Sequence, residues 1–531
     1  MRFPAYFAGV PSFTARYHEL TKYRPETIDR LGGVHWSEQP EPFKDAPEGR
    51  SFDLVPHLRE MLREADSAPD PLNPWLHAGA SPALPALARL LHCTLGLTAR
   101  LVHQGEEGGS ETFLRAAPSA GGLYPTETYV VVRNFADLPS GVYHYHALRS
   151  ALIPVWEGDF FADLHHHFLG DAAVGASDCV VVFTGMFARS AWRYKERAYR
   201  RILLDTGHAA ANLLEMAQSM RLDAVPLGGF YDEGIEELLF LGRKEEFPLL
   251  GMALGPAGSL ALGMGKTGEG PAQHPGPPPE IAVMRAEPND SMQVQQNACE
   301  RIIAGEFVRP AITSAPPAAE NVAHPPAGAA HATLETPEGE ESYDPQAALL
   351  TRRSARQFNG GSLSRRDLEE TLRFAFRPSP GSDPSSPGLS APLLTRDVIT
   401  FHLIVFAIEG ILPGVYTLDP VTLERTLRRE GDFRADLQAI ALGQNLAFDC
   451  AFALVYTADM EALVSAYGDR GYRYACMDCG VIGERIQLWA VHRELGSSGI
   501  GGYYDDLANE LLELPLSHGV LYLTVTGVPE E

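Results

Sequence analysis

A chain of 531 residues, 45% hydrophobic and 21% charged, has the composition of a globular protein, and its length accommodates roughly three domains. Its net charge of −25 repels phosphate backbones and anionic lipid, which argues against nucleic acid and membrane surfaces as partners. The longest apolar run, Phe401 to Leu412, holds His402 and Glu409; it is too short to span a bilayer and reads as a strand.

Met1 to Phe7 holds no sustained apolar stretch, so no secretory signal is expected and the location expected is cytoplasmic. Residues 1–50 read as an N-terminal arm. The segment Arg115-Ala-Ala-Pro118-Ser119-Ala120-Gly121-Gly122-Leu123-Tyr124-Pro125-Thr126-Glu127 is rich in small residues, which let backbone come close to a flat ligand. Thr128 to Val132, β-branched and aromatic, reads as a buried strand. His165-His166-His167 reads as an exposed helix end or turn. Ile202, Leu203, Leu213, Leu214, Met216 and Ala217 recur at helical spacing and predict an amphipathic helix from about Tyr199 to Met220. A turn, Pro226-Leu-Gly228-Gly229, an acidic helix and a strand, Leu249–Ala253, follow.

Residues 257–345 are rich in Pro, Ala and Gly and read as a linker, since they bury too little apolar surface to offset ordering. One helical pattern, Met292 to Phe307, interrupts it. A second long helix is predicted from about Tyr472 to Glu494, then Gly499-Ile500-Gly501-Gly502, another acidic helix and a strand, Val520–Val525. Helices and strands without clean βαβ alternation indicate an α+β fold. The six cysteines, Cys93, Cys179, Cys299, Cys450, Cys476 and Cys479, form no disulfide framework. Cys476-Met-Asp-Cys479 lies in a helical pattern with no second pair at zinc spacing, so buried thiols are expected and no metal.

The chain repeats itself. Gly141-Val142-Tyr143 recurs as Gly414-Val415-Tyr416, and Arg197-Ala-Tyr199-Arg200 as Arg470-Gly-Tyr472-Arg473. Asp205-Thr-Gly207 recurs as Asp478-Cys-Gly480, and Gly228-Gly229-Phe230-Tyr231-Asp232 as Gly501-Gly502-Tyr503-Tyr504-Asp505. All keep one offset. Repetition at this length is duplication of a whole domain, not a solenoid.

Thr351-Arg352-Arg353-Ser354-Ala355-Arg356-Gln357-Phe358 clusters guanidiniums and a hydroxyl in a pattern suited to phosphate; a solvated basic turn is the other reading. Together with the Arg115–Glu127 segment, it resembles the SagB-type dehydrogenases. These FMN-dependent enzymes of the nitroreductase superfamily include the azoline oxidases of modified-peptide biosynthesis. The resemblance covers both halves and implies two tandem nitroreductase-like domains, 51–256 and 346–531, forming an intramolecular pseudo-dimer. In that superfamily each FMN lies in a homodimer interface and takes contacts from both subunits. The Arg-Arg-Ser-x-Arg motif is present only in the second half, and the small-residue loop only in the first. At the corresponding places stand Ala78-Gly79-Ala80-Ser81-Pro82 and the Pro378–Ser390 stretch. The resemblance therefore implies one FMN site, built from Arg352, Arg353, Ser354, Arg356, Ile500, Gly501 and Gly502 with Pro118, Ser119, Ala120 and Gly121. The Gly-Arg that often ends the family's last strand is absent, which leaves Arg115 or Arg356 to serve.

The azoline oxidases carry a Lys-Tyr pair shortly before the long helix; Arg193-Tyr194-Lys195 stands there. Tyr194 would be the acid or base, with Arg193 and Lys195 lowering its pKa; Arg193 cannot itself give up a proton. Packing at a helix start is the other reading of Tyr194. No G-x-G-x-x-G directly follows a strand, so no dinucleotide domain is expected. The activity implied is oxidation of a C–N or C–C bond in a small-molecule or peptide substrate, with room for a peptide-modifying partner enzyme. An NAD(P)H-dependent reductase and a non-catalytic flavin-binding or scaffold protein are the alternatives.

Overall fold

The β-branched run Thr126–Val132 forms a strand buried along its whole length; a pleated surface packed on both faces favours such residues. It sits mid-sheet in the computed structural model, which describes residues 12–26, 28, 34, 36–45, 49–64, 82–103, 110–242, 245–260, 343–377, 398–515 and 517–530. Its sheet runs Phe52–Asp53, Ala151–Glu157, Gly141–His146, Thr126–Val132, Cys179–Met186, Glu246–Pro256, Leu222–Leu227, each strand antiparallel to the next. The second sheet runs Arg425–Glu430, Gly414–Leu418, Ile399–Val405, Phe452–Asp459, His518–Gly527, Gly496–Ile500, again antiparallel. Apart from the short edge strand at Phe52, the two pairing orders are the same, so the repeats in sequence are repeats in topology. The Met292–Phe307 pattern, Cys299, most of the linker and the two stretches around Ala78 and Pro378 lie outside the described residues.

The apolar run from Phe401 is a strand only to Val405. There the amides of Phe406 and Ala407 both turn onto the Ala451 carbonyl, at 2.9 and 3.0 Å, and the ladder ends. Both terminal strands run longer than expected, at Glu246–Pro256 and His518–Gly527.

The two long helices, Ala198–Ser219 and Gly471–His492, pack against each other. Neither is amphipathic in place: both are buried on every face over nearly their whole length. Each has its own sheet on one side and the other half of the chain on the other, and one continuous core cluster takes in residues of both halves. The Asp-x-Gly repeat explains the close crossing. A Cβ on Gly207 would lie 2.1 Å from the Met477 carbonyl oxygen, and one on Gly480 2.4 Å from that of Leu204. Only glycine lets the backbones meet there.

The remaining repeats are exchanged across the interface. Arg197 and Arg200 of the first half pair with Asp505 of the second at 2.6 and 2.7 Å. Arg470 and Arg473 of the second half pair with Asp232 of the first. Each Arg-x-x-Arg thus holds the other half's turn after its long helix. Part of the N-terminal arm straps the same place: the Tyr23 amide donates to Asp505 at 3.1 Å, and the Thr14 amide to Asp469 at 2.9 Å. Among the described residues no helix is long and apolar enough to cross a membrane.

Candidate functional site

Asp205, buried on the first long helix, fixes the small-residue loop. Its carboxylate accepts the Ser119 hydroxyl at 2.6 Å and the Ala120 amide at 3.1 Å, while Ser119 Oγ accepts the Tyr124 amide at 2.8 Å. Gly121 and Gly122 follow with φ of +67° each, a conformation that glycine adopts without strain. A Cβ on Gly121 would stand 2.7 Å from the Tyr194 hydroxyl.

This loop forms one wall of a cleft of about 380 Å³. Pro118, Ser119, Ala120, Gly121, Gly122, Arg193, Arg201, Leu204, Asp205 and His208 line it from the first half. Ser354, Arg356, Gln487, Ser498, Gly499, Gly501 and Tyr522 line it from the second. The small-residue loop and part of the arginine motif therefore meet, although they lie in different halves.

Arg352 and Arg353 do not reach the cleft. Arg352 is buried, donates to the Ala116 carbonyl and the Gln487 side chain, both at 3.0 Å, and faces Glu484 at 3.3 Å. Arg353 turns outward onto the carbonyls of Leu350, Arg352 and Thr98. Ile500 is buried in the second half's outer core, and Gly502 lies against Leu442. Arg115 is also elsewhere: its guanidinium stacks over Phe43 and Tyr124 and donates to the Pro42 carbonyl. That leaves Arg356, of the two arginines considered, at the cleft.

The expected lowering of the Tyr194 pKa is corrected. Burial pushes its pKa above the ordinary tyrosine value, and the Arg201 and Arg193 charges do not overcome that. Lys195 takes no part; its ammonium turns back to the Trp192 carbonyl at 3.3 Å. Asp205 moves the same way for the same reason. Burial pushes it up to about 6, against the pull of Ser119, Ala120, His208 and Arg201.

Arg201, His208, Gln487 and Tyr522 escaped the sequence reading. The repeat held a signal for three of them. The offset that takes Asp205 to Asp478 takes Arg201 to Tyr474 and His208 to Val481, and it returns Gln487 to Leu214. Polar residues whose counterparts are apolar or uncharged mark the cleft side. Arg201 is buried with its guanidinium 4.9 Å from the Tyr194 ring centroid. A Cβ on Gly501 would fall 1.4 Å from its Nη1. Glycine is there to admit the guanidinium.

At the opposite interface site Tyr474 takes the place of Arg201. Its hydroxyl donates to the Gly228 carbonyl at 2.9 Å, which also accepts Arg470 Nε at 3.0 Å. Tyr467 packs edge-on against Tyr474, with centroids 6.5 Å apart. Tyr467 is the counterpart of Tyr194, so the change between the two sites at this point is Arg201 to Tyr474.

Two duplicated α+β units agree with comparison to known proteins, where the nitroreductase family matches residues 81–256 and 349–528. The chain belongs to the nitroreductase family. It carries the fold twice, as an intramolecular pseudo-dimer, and the length accommodates two such units rather than three domains. A nitroreductase-family protein of Methanocaldococcus jannaschii is 31% identical over 169 residues, which are 32% of this chain and 78% of that one. A solved nitroreductase-family structure from Anabaena variabilis is 31% identical, with a TM-score of 0.77 over 98% of this chain and 100% of the other. The microcin B17-processing protein McbC of Escherichia coli is 28% identical over 141 residues, 26% of this chain; the match spans about half of McbC, 52%. Among the described residues no group of His, Cys, Asp or Glu is placed to hold a metal, and Cys476 and Cys479 are free and buried.

Proposed function

We propose that this chain is an FMN-dependent oxidoreductase that holds one FMN in the composite cleft. Within the family we read it as a SagB-type dehydrogenase that oxidises a C–N or C–C bond, with the azoline ring of a modified peptide as the substrate class. The two units are taken as 51–256 and 346–531. The observation that carries the reading is the meeting of the Pro118–Gly122 loop with Ser354, Arg356 and Gly501 in one cleft.

The residues present suit the cofactor. Gly121, Gly122 and Gly501 leave bare backbone for a flat ring. Arg356 and Arg193 supply guanidiniums for a phosphate or an anionic ring edge. Among the described residues Arg201 Nε is buried without a hydrogen-bond partner, and a buried donor of that kind is satisfied by a ligand acceptor. Arg352 acts at one remove, by holding Glu484 and Gln487 in place. FMN, when bound, accepts a hydride and so supplies the two-electron step. The chain's part is to clamp, orient and move protons. Neutral Tyr194, beside Gly121 at the rim, donates a hydrogen bond toward whatever lies on the loop. The partial likeness to McbC, named for microcin B17 processing, supports a peptide substrate and a peptide-modifying partner enzyme.

The second reading is an NAD(P)H-dependent reductase. The likeness to the Anabaena and Methanocaldococcus proteins, which covers more of each relative than the likeness to McbC, favours it. An absorption spectrum and a flavin-to-protein ratio come first. One FMN per chain is expected; two would overturn the single-site reading, and none after reconstitution would leave the scaffold alternative. Anaerobic reduction of the bound flavin by a thiazoline peptide, and not by NAD(P)H, separates the dehydrogenase from the reductase.

A further inference from the structure

Three buried side chains from three elements meet at the back of the cleft. His208 and Tyr522 both line it. His208 Nε2 lies 2.8 Å from Tyr522 Oη, and His208 Nδ1 lies 2.7 Å from Glu484 Oε2. The relative exposures are 2% for His208, 5% for Tyr522 and 0% for Glu484. These partners fix the protons. The Glu484 carboxylate, faced on its other oxygen by Arg352 at 3.3 Å, only accepts, so Nδ1 carries the hydrogen. Nε2 is then an acceptor, and the Tyr522 hydroxyl donates to it. That leaves Tyr522 Oη with free lone pairs at the cleft wall. The wall is shaped for it: a Cβ on Gly499 would stand 1.8 Å from Oη.

We propose that Tyr522, His208 and Glu484 form a relay that takes a proton from the substrate in the cleft. The substrate's X–H bond breaks and its electron pair stays on the substrate. The proton passes to Tyr522 Oη as the Tyr522 proton passes to His208 Nε2, and Glu484 holds the resulting imidazolium. This rests on the proposed function, in which the same substrate loses its hydride to the flavin, so that hydride and proton together make the two-electron oxidation. Tyr522 is the catalytic residue, His208 receives its proton, and Glu484 is a positioning residue.

Two observations favour this assignment. Burial keeps Tyr522 protonated at rest, with its pKa well above the ordinary tyrosine value. Further, the helix counterparts of His208 and Glu484 are Val481 and Ala211. A buried carboxylate is costly unless it is paired, and this pair is present only at the interface site lined by the small-residue loop. Asp205, also in the cleft wall, has its oxygens taken up by Ser119 and Ala120.

The test uses the full chain. Histidine ¹⁵N NMR of flavin-free protein should show His208 with hydrogen on Nδ1, and Glu484→Gln should alter that signal while leaving other histidines unchanged. A hydrogen on Nε2 would overturn the relay whatever the flavin does. In reconstituted protein, Tyr522→Phe should keep its flavin content yet slow flavin reduction by a synthetic thiazoline peptide about 10²–10⁴-fold. His208→Gln should do the same, which covers the case in which one variant fails to fold. Reduction at the wild-type rate in either variant would overturn the relay and leave the proposed function standing. A wild type that binds no flavin, or leaves the thiazoline unoxidised, would overturn the proposed function and the relay's role with it.

Discussion

The two interface sites began from one plan and now differ in what fills them. At one, Arg201 projects over Gly501 beside the small-residue loop, and His208 and Tyr522 stand at the wall. At the other, Tyr474 replaces Arg201, its hydroxyl is tied to Gly228, and Tyr467 packs on it. The exchanged arginine–aspartate clamps survive on both sides. Scaffold contacts were kept twice and cleft-lining residues once. The conserved framework therefore reports folding, and the divergence between copies reports chemistry.

The clamps themselves are unequal, and this gives the largest expected effect. Asp505 has a fully buried side chain, whereas that of Asp232 is 15% exposed. Asp505→Ala leaves Arg197 and Arg200 buried and uncompensated and should cost about 3–5 kcal/mol. Asp232→Ala should cost distinctly less, because Asp232 borders solvent and its removal admits water toward Arg470 and Arg473, themselves 2% and 0% exposed. Urea unfolding of the two variants makes the comparison; equal losses would mean that burial does not set the difference.

Removing Tyr474 at the opposite site is the next test. Tyr474→Ala should destabilise by roughly 3 kcal/mol through the cavity it leaves. It should not add a second flavin, since the loop and arginine motif are still missing there. A flavin-to-protein ratio that rises above one would show that Tyr474 alone keeps flavin from that site.

At the open site charge and shape can be separated. Arg356→Ala removes a charge-assisted contact of about 1.5–3 kcal/mol, and the loss in FMN affinity should shrink as salt rises. Gly121→Leu places a side chain against the Tyr194 hydroxyl at a φ of +67° and should cost flavin at every salt concentration. Titration by flavin fluorescence distinguishes the two patterns.

The smallest effect concerns Asp205. An ordinary carboxyl titrates near 4, and burial pushes this one up to about 6. The folded state therefore binds its proton more tightly than the unfolded state, and this group's contribution to stability falls as pH rises from about 4 to about 6. Above that window it is constant. Asp205→Asn should remove this fall, seen as a difference between wild-type and variant stability curves across those pH values. The counterpart Asp478→Asn is the comparison.

Much of this plan was legible in the sequence. One fixed offset revealed the duplication, and the β-branched and glycine-rich runs marked the strands and turns. The loop and the Ser354–Arg356 end of the arginine motif could be assigned to one cleft because each half lacked what the other had. Other features depended on what the far half presents. Both long helices look amphipathic alone, yet the second half buries the polar face of the first. Arg352 reads as a free cation until Glu484 and Gln487, more than a hundred residues later, are seen to hold it. Tyr194 sits among arginines in sequence, but its burial outweighs them. Tyr522 lies in an ordinary-looking strand, and only the fold brings it against His208 and Gly499.

The glycine-to-glycine crossing at Gly207 and Gly480 has a consequence for dilution. A site shared by two separate subunits persists only while the subunits remain associated, so its melting point depends on protein concentration. Here both contributors are one polypeptide, and the second half is always within reach of the first at a high effective concentration. Loss of the cleft is then a unimolecular event. Its thermal midpoint should stay the same across a thousandfold dilution, and the cofactor site should survive at concentrations where a two-chain relative would come apart.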